Sequence, residues 1–316
     1  MQLNSDRHLM VEKYGNSERI PMNEVQKREL SVYNEVAKIC DKHGLKYFAI
    51  GGTCIGAIRH KGFIPWDDDI DIALPRQDYE KLRTDYYKDL PGYLQVLDCD
   101  NSRQHLYLFF KIHDSRTTFV ERYAQNSPER YTGAFVDIMP IDGLPNDAVV
   151  RNKIIKKLMR LDKANDRHRP VPLSAYNGSF SGPAKWLLRK MFSLFHEYNY
   201  YSSRVKEIGE SYNFSTSEKC IFTWRAGSSD LSIERIVFDR SLFDDLIDVP
   251  FEDSLMRIPK EYDKYLKQDF GDYMKLPPKE QQQTHHNVYI SDMGTPCREY
   301  AERDIERYKK QFRRQK

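Results

Sequence analysis

The stretch Ala49–Leu74, AIGGTCIGAIRHKGFIPWDDDIDIAL, constrains this chain more than any other. It opens with the pair Gly51-Gly52 and closes with four carboxylates in five positions: Asp67, Asp68, Asp69 and Asp71. A solvated acidic run would not be flanked by Ile64, Pro65 and Trp66 and then continue as Ile70, Ile72, Ala73 and Leu74. Residues 69–72 alternate polar and apolar, the period of a half-buried strand, which puts Asp69 and Asp71 on one face. Two carboxylates that close repel each other, so the arrangement is costly unless a cation sits between them. Few side-chain oxygens, with phosphate supplying the rest, suit Mg²⁺ or Mn²⁺.

The flanking sequence builds a frame around this stretch. A helix is predicted over 22–43, with Val25, Leu30, Val36, Ile39 and Cys40 on one side and Gly44 as its stop. Leu45–Ile50 reads as a buried strand. Gly51-Gly52 lets the backbone turn tightly and approach a ligand closely. Thr53–His60 follows as a short helix with Thr53 in the capping position. The amides of Gly51, Gly52 and Thr53 would then favour a bound phosphate. Ile70–Leu74 is the acidic strand, and Pro75 opens a helix to about Lys88. Strands are expected at 93–97, 105–112, 117–122 and 133–141. In the last of these Asp137 is a lone carboxylate among apolar residues, whereas Asp142 reads as a turn residue before Gly143. Basic amphipathic helices are expected over 146–165 and 184–198.

Size and composition bound the rest. At 316 residues, with 40% hydrophobic and 31% charged residues, the chain can build a substantial core. The formal net charge of +3 argues against a dedicated nucleic-acid binder. That charge is uneven: 151–204 carries twelve Lys/Arg against three Asp/Glu, a net +9, which leaves −6 elsewhere. Such a basic segment, joined to the apolar face of 184–198, suits contact with an anionic membrane surface. Five scattered cysteines without a CxxC pair read as reduced thiols. No apolar run approaches the ~18 residues of a membrane span, and residues 1–20 lack the apolar centre of a signal peptide. The expected location is cytoplasmic, peripheral on the cytosolic membrane face.

A strand, a Gly-Gly turn, a short helix, an acidic strand and a later strand with a third acid form the layout of the nucleotidyltransferase superfamily. The longer run from Gly51 to Asp71 (GGTCIGAIRHKGFIPWDDDID) is similar to the signature of the LicD family. So are Phe135–Asp142 (FVDIMPID) and Phe270–Pro278 (FGDYMKLPP) with His285-His286 after it. That family is named for bacterial phosphocholine transferases and is related to fukutin-type phospho-ribitol transferases.

The resemblance implies an α/β (α+β) fold, a nucleotidyltransferase-like mixed sheet flanked by helices. The expected organisation is an N-terminal arm (1–21), a catalytic core (22–145) and a basic helical segment (146–215). A C-terminal part (216–297) completes the core, and a charged tail (298–316) follows. The implied activity is metal-dependent transfer of phosphocholine from CDP-choline to a hydroxyl of a cell-surface glycan such as teichoic acid, or of its lipid-linked precursor. CDP-ribitol or CDP-glycerol is the alternative donor. Nucleotidyl transfer releasing pyrophosphate is a second enzymatic alternative, and nucleotide or glycan binding on an inactive fold is a third reading. Asp69, Asp71 and Asp137 are the implied catalytic and metal-holding set. Gly51, Gly52, Thr53, Arg59, His60 and Lys111 are candidates for nucleotide and phosphate, with Asp67, Asp68, His285 and His286 as further candidates.

Overall fold

The computed structural model describes residues 22–98, 107–125, 127–168, 181–194, 200–226, 232–284 and 286–314. Expectations for 1–21, His285 and the loop after 168 lie outside them. The described residues divide into two compact units, one within 1–97, 110–139 and 241–316, the other within 98–109 and 140–240.

The first unit opens with α1 (Glu24–Lys42). Its start is a reciprocal cap: Gln26 N donates to Asn23 Oδ1 at 2.9 Å, and Asn23 N to Gln26 Oε1 at 3.0 Å. Gly44 at φ +63 ends it. Leu30, Tyr33, Val36, Ala37 and Cys40 of α1 are buried. The predicted strand at 45–50 pairs only over β1 (Phe48–Ala49). The following helix, α2 (Gly51–Arg59), begins two residues earlier than predicted. The acidic strand β2 (Asp71–Pro75) starts at Asp71, so Asp69 lies in the segment just before it. Pro75 opens α3 (Arg76–Thr84), with Tyr79 and Leu82 buried as expected, and a 3-10 turn takes over at Tyr86–Asp89.

Next come β3 (Leu94–Leu97), β4 (Phe110–Asp114), β5 (Thr118–Glu121) and β6 (Phe135–Leu144). The sheet of this unit runs β1-β2-β6-β4-β3. β1 is antiparallel to β2, β4 to β6 and β3 to β4. Every residue of β6 is buried, as a central strand requires. Its residues to Met139 belong to the first unit, and those from Pro140 to the second.

In the second unit Asp142 is a β6 residue and not part of a turn. Its carboxylate accepts from Thr223 Oγ1 at 2.6 Å. Helices α4 (Ala148–His168), α5 (Gly182–Leu194) and α6 (Tyr200–Glu210) follow, then β7 (Lys219–Ile221), α7 (Ile233–Ile236) and β8 (Val237–Asp239). Leu144, Ile155, Leu158, Val205 and Ile221 share one core. On α5, Leu187, Leu188 and Met191 stay exposed beside Lys185 and Lys190.

The chain then returns to the first unit. β9 (Leu246–Phe251) and β10 (Ser254–Pro259) form a hairpin, followed by α8 (Tyr262–Phe270). β11 (Val288–Asp292) pairs with β5. The charged tail is helical over α9 (Cys297–Arg314), tied down where Tyr131 Oη donates to Asp304 Oδ2 at 2.6 Å.

Candidate active site

The glycine pair sets the entry to α2. Gly51 takes φ +55, a backbone state open to glycine and strained for other residues. A Cβ on Gly52 would stand 2.6 Å from Asp67 Oδ2, so only glycine lets the acidic loop come this close. Because the helix starts at the turn itself, Thr53 is not its cap. Thr53 sits in the first turn, and its Oγ1 accepts the Asp71 amide at 2.9 Å, tying α2 to β2. Gly51 N donates to Tyr265 Oη at 3.1 Å. Among the described residues nothing accepts from the amides of Gly52 and Thr53. Two donors at a helix N-terminus are a ready anion site.

Four hydrogen bonds pin the acidic loop. Gln26 Nε2 donates to Asp67 O at 2.7 Å. Phe63 N donates to Glu252 Oε1 at 2.9 Å, and Glu252 N to Lys61 O at 2.9 Å, so the tip of the β9–β10 hairpin grips the loop from behind. Thr284 Oγ1 donates to Asp68 Oδ1 at 2.5 Å.

The acids then crowd together. Asp71 Oδ1 is buried and accepts from nothing in the described structure. Burial, followed by the charges of Asp69, Asp137 and Asp67, holds the Asp71 carboxyl well above the ordinary carboxylate range; Lys111 opposes this. Burial, the Asp69 charge and a hydrogen bond shared with Asp69 push Asp67 up to about 8. Asp137 rises to about 6, driven by burial, with Lys111 pulling it down and Asp69 pushing it up.

Two cations answer them. Lys111, opposite Asp137 in the β4–β6 register, is buried with Nζ 2.8 Å from Asp137 Oδ1 and donates to Oδ2 at 3.1 Å. Its ammonium lies over the Phe135 ring, 3.5 Å from the centroid. The sequence reading offered Lys111 to phosphate; the fold gives it to Asp137. His286 is the other cation. Its Nδ1 is 2.9 Å from Asp68 Oδ1, and its Nε2 stands 3.9 Å from Asp69 and 4.0 Å from Glu121. Burial lowers its pKa, but the Asp68 bond and the Asp69 and Glu121 charges prevail and carry it up to about 9. The rings of Phe119 and Phe135 stand edge-on to the imidazole.

Arg59 is turned to the backbone of the 270–278 segment. Its Nη1 donates to Tyr273 O at 2.6 Å and to Lys275 O at 3.4 Å. His60 lies beside it, with its ring edge toward Trp66; burial and the Arg59 charge lower its pKa. The fold thus gathers Gly51, Gly52, Thr53, Asp67, Asp68, Asp69, Asp71, Lys111, Asp137 and His286, while Arg59 braces the 270–278 segment and His60 stands against Arg59 and Trp66. Sequence reasoning missed Gln26, Glu29, Glu121, Glu252 and Tyr265. Only Gln26 carried a local signal, the Asn23/Gln26 capping pattern.

Among the described residues no three His, Cys, Asp or Glu side chains converge on one point as a closed metal cage. Buried, unpartnered oxygens of mutually repelling acids fit a different kind of site. They fit a hard divalent ion held by one or two carboxylates and completed by phosphate and water. Asp69, Asp71 and Asp137 are the carboxylates that could hold such an ion.

The model of the LicD/FKTN/FKRP nucleotidyltransferase domain matches residues 44–156. The lipopolysaccharide cholinephosphotransferase LicD of Haemophilus influenzae is 29% identical over 276 residues, covering 85% of this chain and 97% of that protein. Uncharacterized proteins of Rickettsia typhi and Rickettsia prowazekii are 39% and 40% identical over 56 and 55 residues. Those shorter matches cover 17% and 16% of this chain, and 18% and 21% of the respective proteins.

Proposed function

We propose that this chain, which matches the LicD family model over 44–156 and resembles a cholinephosphotransferase LicD over 85% of its length, transfers phosphocholine from CDP-choline to a hydroxyl of a cell-surface glycan or its lipid-linked precursor. One observation carries the reading. Buried acids meet two open helix amides in a chain that aligns over 85% of its length with a lipopolysaccharide cholinephosphotransferase. Lipopolysaccharide and teichoic acid are both acceptors of the required kind.

Phosphoryl transfer needs charge neutralisation and alignment more than covalent chemistry. In this reading the Gly52 and Thr53 amides hold the donor's diphosphate. Asp69 and Asp71, with Asp137 beside them, would hold Mg²⁺ or Mn²⁺, which neutralises the diphosphate and the leaving CMP when bound. The acceptor oxygen attacks the phosphorus that bears choline, and the bond from that phosphorus to the CMP oxygen breaks. The hydroxyl proton passes to Asp137 in its base role, the carboxylate standing beside the proposed metal site. Lys111 orients that carboxylate. His286 fixes Asp68 and with it the acidic loop.

The surface of α5 supports a peripheral membrane contact through 151–204. No acid falls between Gly182 and Leu194, and Leu188 is 65% exposed, so it does not pack on the core. Sedimentation with anionic vesicles tests this part. Binding lost on changing Lys185, Arg189 and Lys190 to Glu supports it, and binding unchanged contradicts it.

A thermal-shift panel with Mg²⁺ tests the donor. CDP-choline, CDP-ribitol and CDP-glycerol are compared with CTP and ATP. CDP-choline should stabilise most, and a preference for ATP over every CDP compound would overturn the assignment.

A further inference from the structure

Glu29 is a buried acid beside the acidic loop that the proposed reaction leaves unused. It is 0% exposed, and among the described residues neither carboxylate oxygen has a hydrogen-bond partner. Its direction follows from α1. Gln26, one turn earlier on the same helix face, reaches Asp67 O at 2.7 Å, so that face looks onto the acidic loop. The charges that act on Glu29 most strongly are those of Asp69, Asp68, Asp67 and Asp137. An apolar side chain would fill this position without the desolvation penalty of a buried, unpaired carboxylate.

The charge balance points the same way. Glu29, Asp67, Asp68, Asp69, Asp71 and Asp137 are six acids, and the cations bonded to them are Lys111 and His286. Fully ionised, this set keeps four uncancelled negative charges. One divalent ion on Asp69 and Asp71 removes two.

We infer that Glu29, with Asp67 and Asp69, holds a second divalent cation on the α1 side of the acidic loop. A hard ion that keeps several waters needs only one or two direct carboxylates, so three need not converge. The inference rests on the metal-dependent reading above and adds a residue from outside the Gly51–Asp71 stretch.

Titration of the nucleotide-free full chain with Mn²⁺, read by calorimetry and by the EPR signal of the free ion, separates the two claims. The native chain should take up about two Mn²⁺ per molecule. Glu29→Gln, which preserves shape and removes charge, should take up about one, and Asp71→Asn should lose the other. Glu29→Asp should keep both sites and bind one of them about tenfold more weakly, and it serves if the Gln variant does not fold. If Asp71→Asn loses an ion while Glu29→Gln or Glu29→Asp binds like the native chain, the Glu29 inference is overturned and the metal reading stands. If the native chain binds no Mn²⁺, both are overturned.

Discussion

Replacing Lys111 by Met keeps the apolar stem and removes the ammonium 2.8 Å from Asp137 Oδ1. At an effective dielectric constant near 20, a unit-charge pair at that distance is worth about 6 kcal/mol. The protein does not lose that amount, because Asp137 has an alternative: it takes up a proton. Its carboxyl titrates at about 6 with Lys111 present. At pH 7 the proton therefore limits the extra loss to about 1 kcal/mol, one pH unit at ~1.4 kcal/mol. At pH 9 the limit rises to about 4 kcal/mol, still below the Coulomb figure. The sign follows from linkage: a buried acid with a raised pKa is held neutral at low pH, and the fold loses that refuge as pH climbs. Urea unfolding of metal-free native chain and Lys111→Met at pH 7 and pH 9 measures the difference. The loss should be small at pH 7 and several-fold larger at pH 9. An equal loss at both pH values, or no loss at pH 9, would refute the buried pair as described.

Other perturbations probe separate parts of the account. Asp71→Asn should lower kcat at least 10³-fold while the metal-free Tm holds or rises, because burial and the neighbouring acids already disfavour a charge at Asp71; near-normal turnover contradicts the assignment. Gly56→Ala would place a Cβ 2.5 Å from Gly62 O and should cost about 1–3 kcal/mol in urea unfolding as the loop behind the acids is displaced. Buried His113 accepts the Gly133 amide at Nδ1 and titrates at about 4, driven down by burial. Stability tied to it is complete above about pH 6.5 and is lost as pH falls toward 4, roughly 3 kcal/mol in all. His113→Asn should flatten that part of the pH–stability curve.

The acidic stretch was legible because its chemistry is contiguous: the glycines, the flanking Pro65 and Trp66 and the alternation of 69–72 lie within a few residues of one another. Asp137 was legible as a lone charge in an apolar strand and Lys111 only as a candidate for phosphate; their pairing depends on the β4–β6 register, which neither strand encodes alone. Thr53 was misread as a cap because Gly51 at positive φ lets the helix begin inside the turn. Asp142 was misread as a turn residue because Gly143 follows it. Its place in β6 comes from pairing with Ile221 of β7, and its carboxylate is held by Thr223, eighty-one positions away. Glu29 stayed hidden for a related reason. On a helical pattern an acid beside Leu30 reads as the edge of the solvent face, and only the packed fold shows that this edge meets the acidic loop. Local pattern therefore marked the acidic stretch, while the partners that tune each acid came from long-range contacts.

The most direct measurement is the ³¹P NMR spectrum of products after incubation with CDP-choline, Mg²⁺ and a glycan acceptor. The account predicts one CMP for each new choline-phosphate diester, and no products from the Asp71→Asn variant. A glycan product carrying CMP, with free phosphocholine released in place of CMP, would contradict attack at the choline-bearing phosphorus.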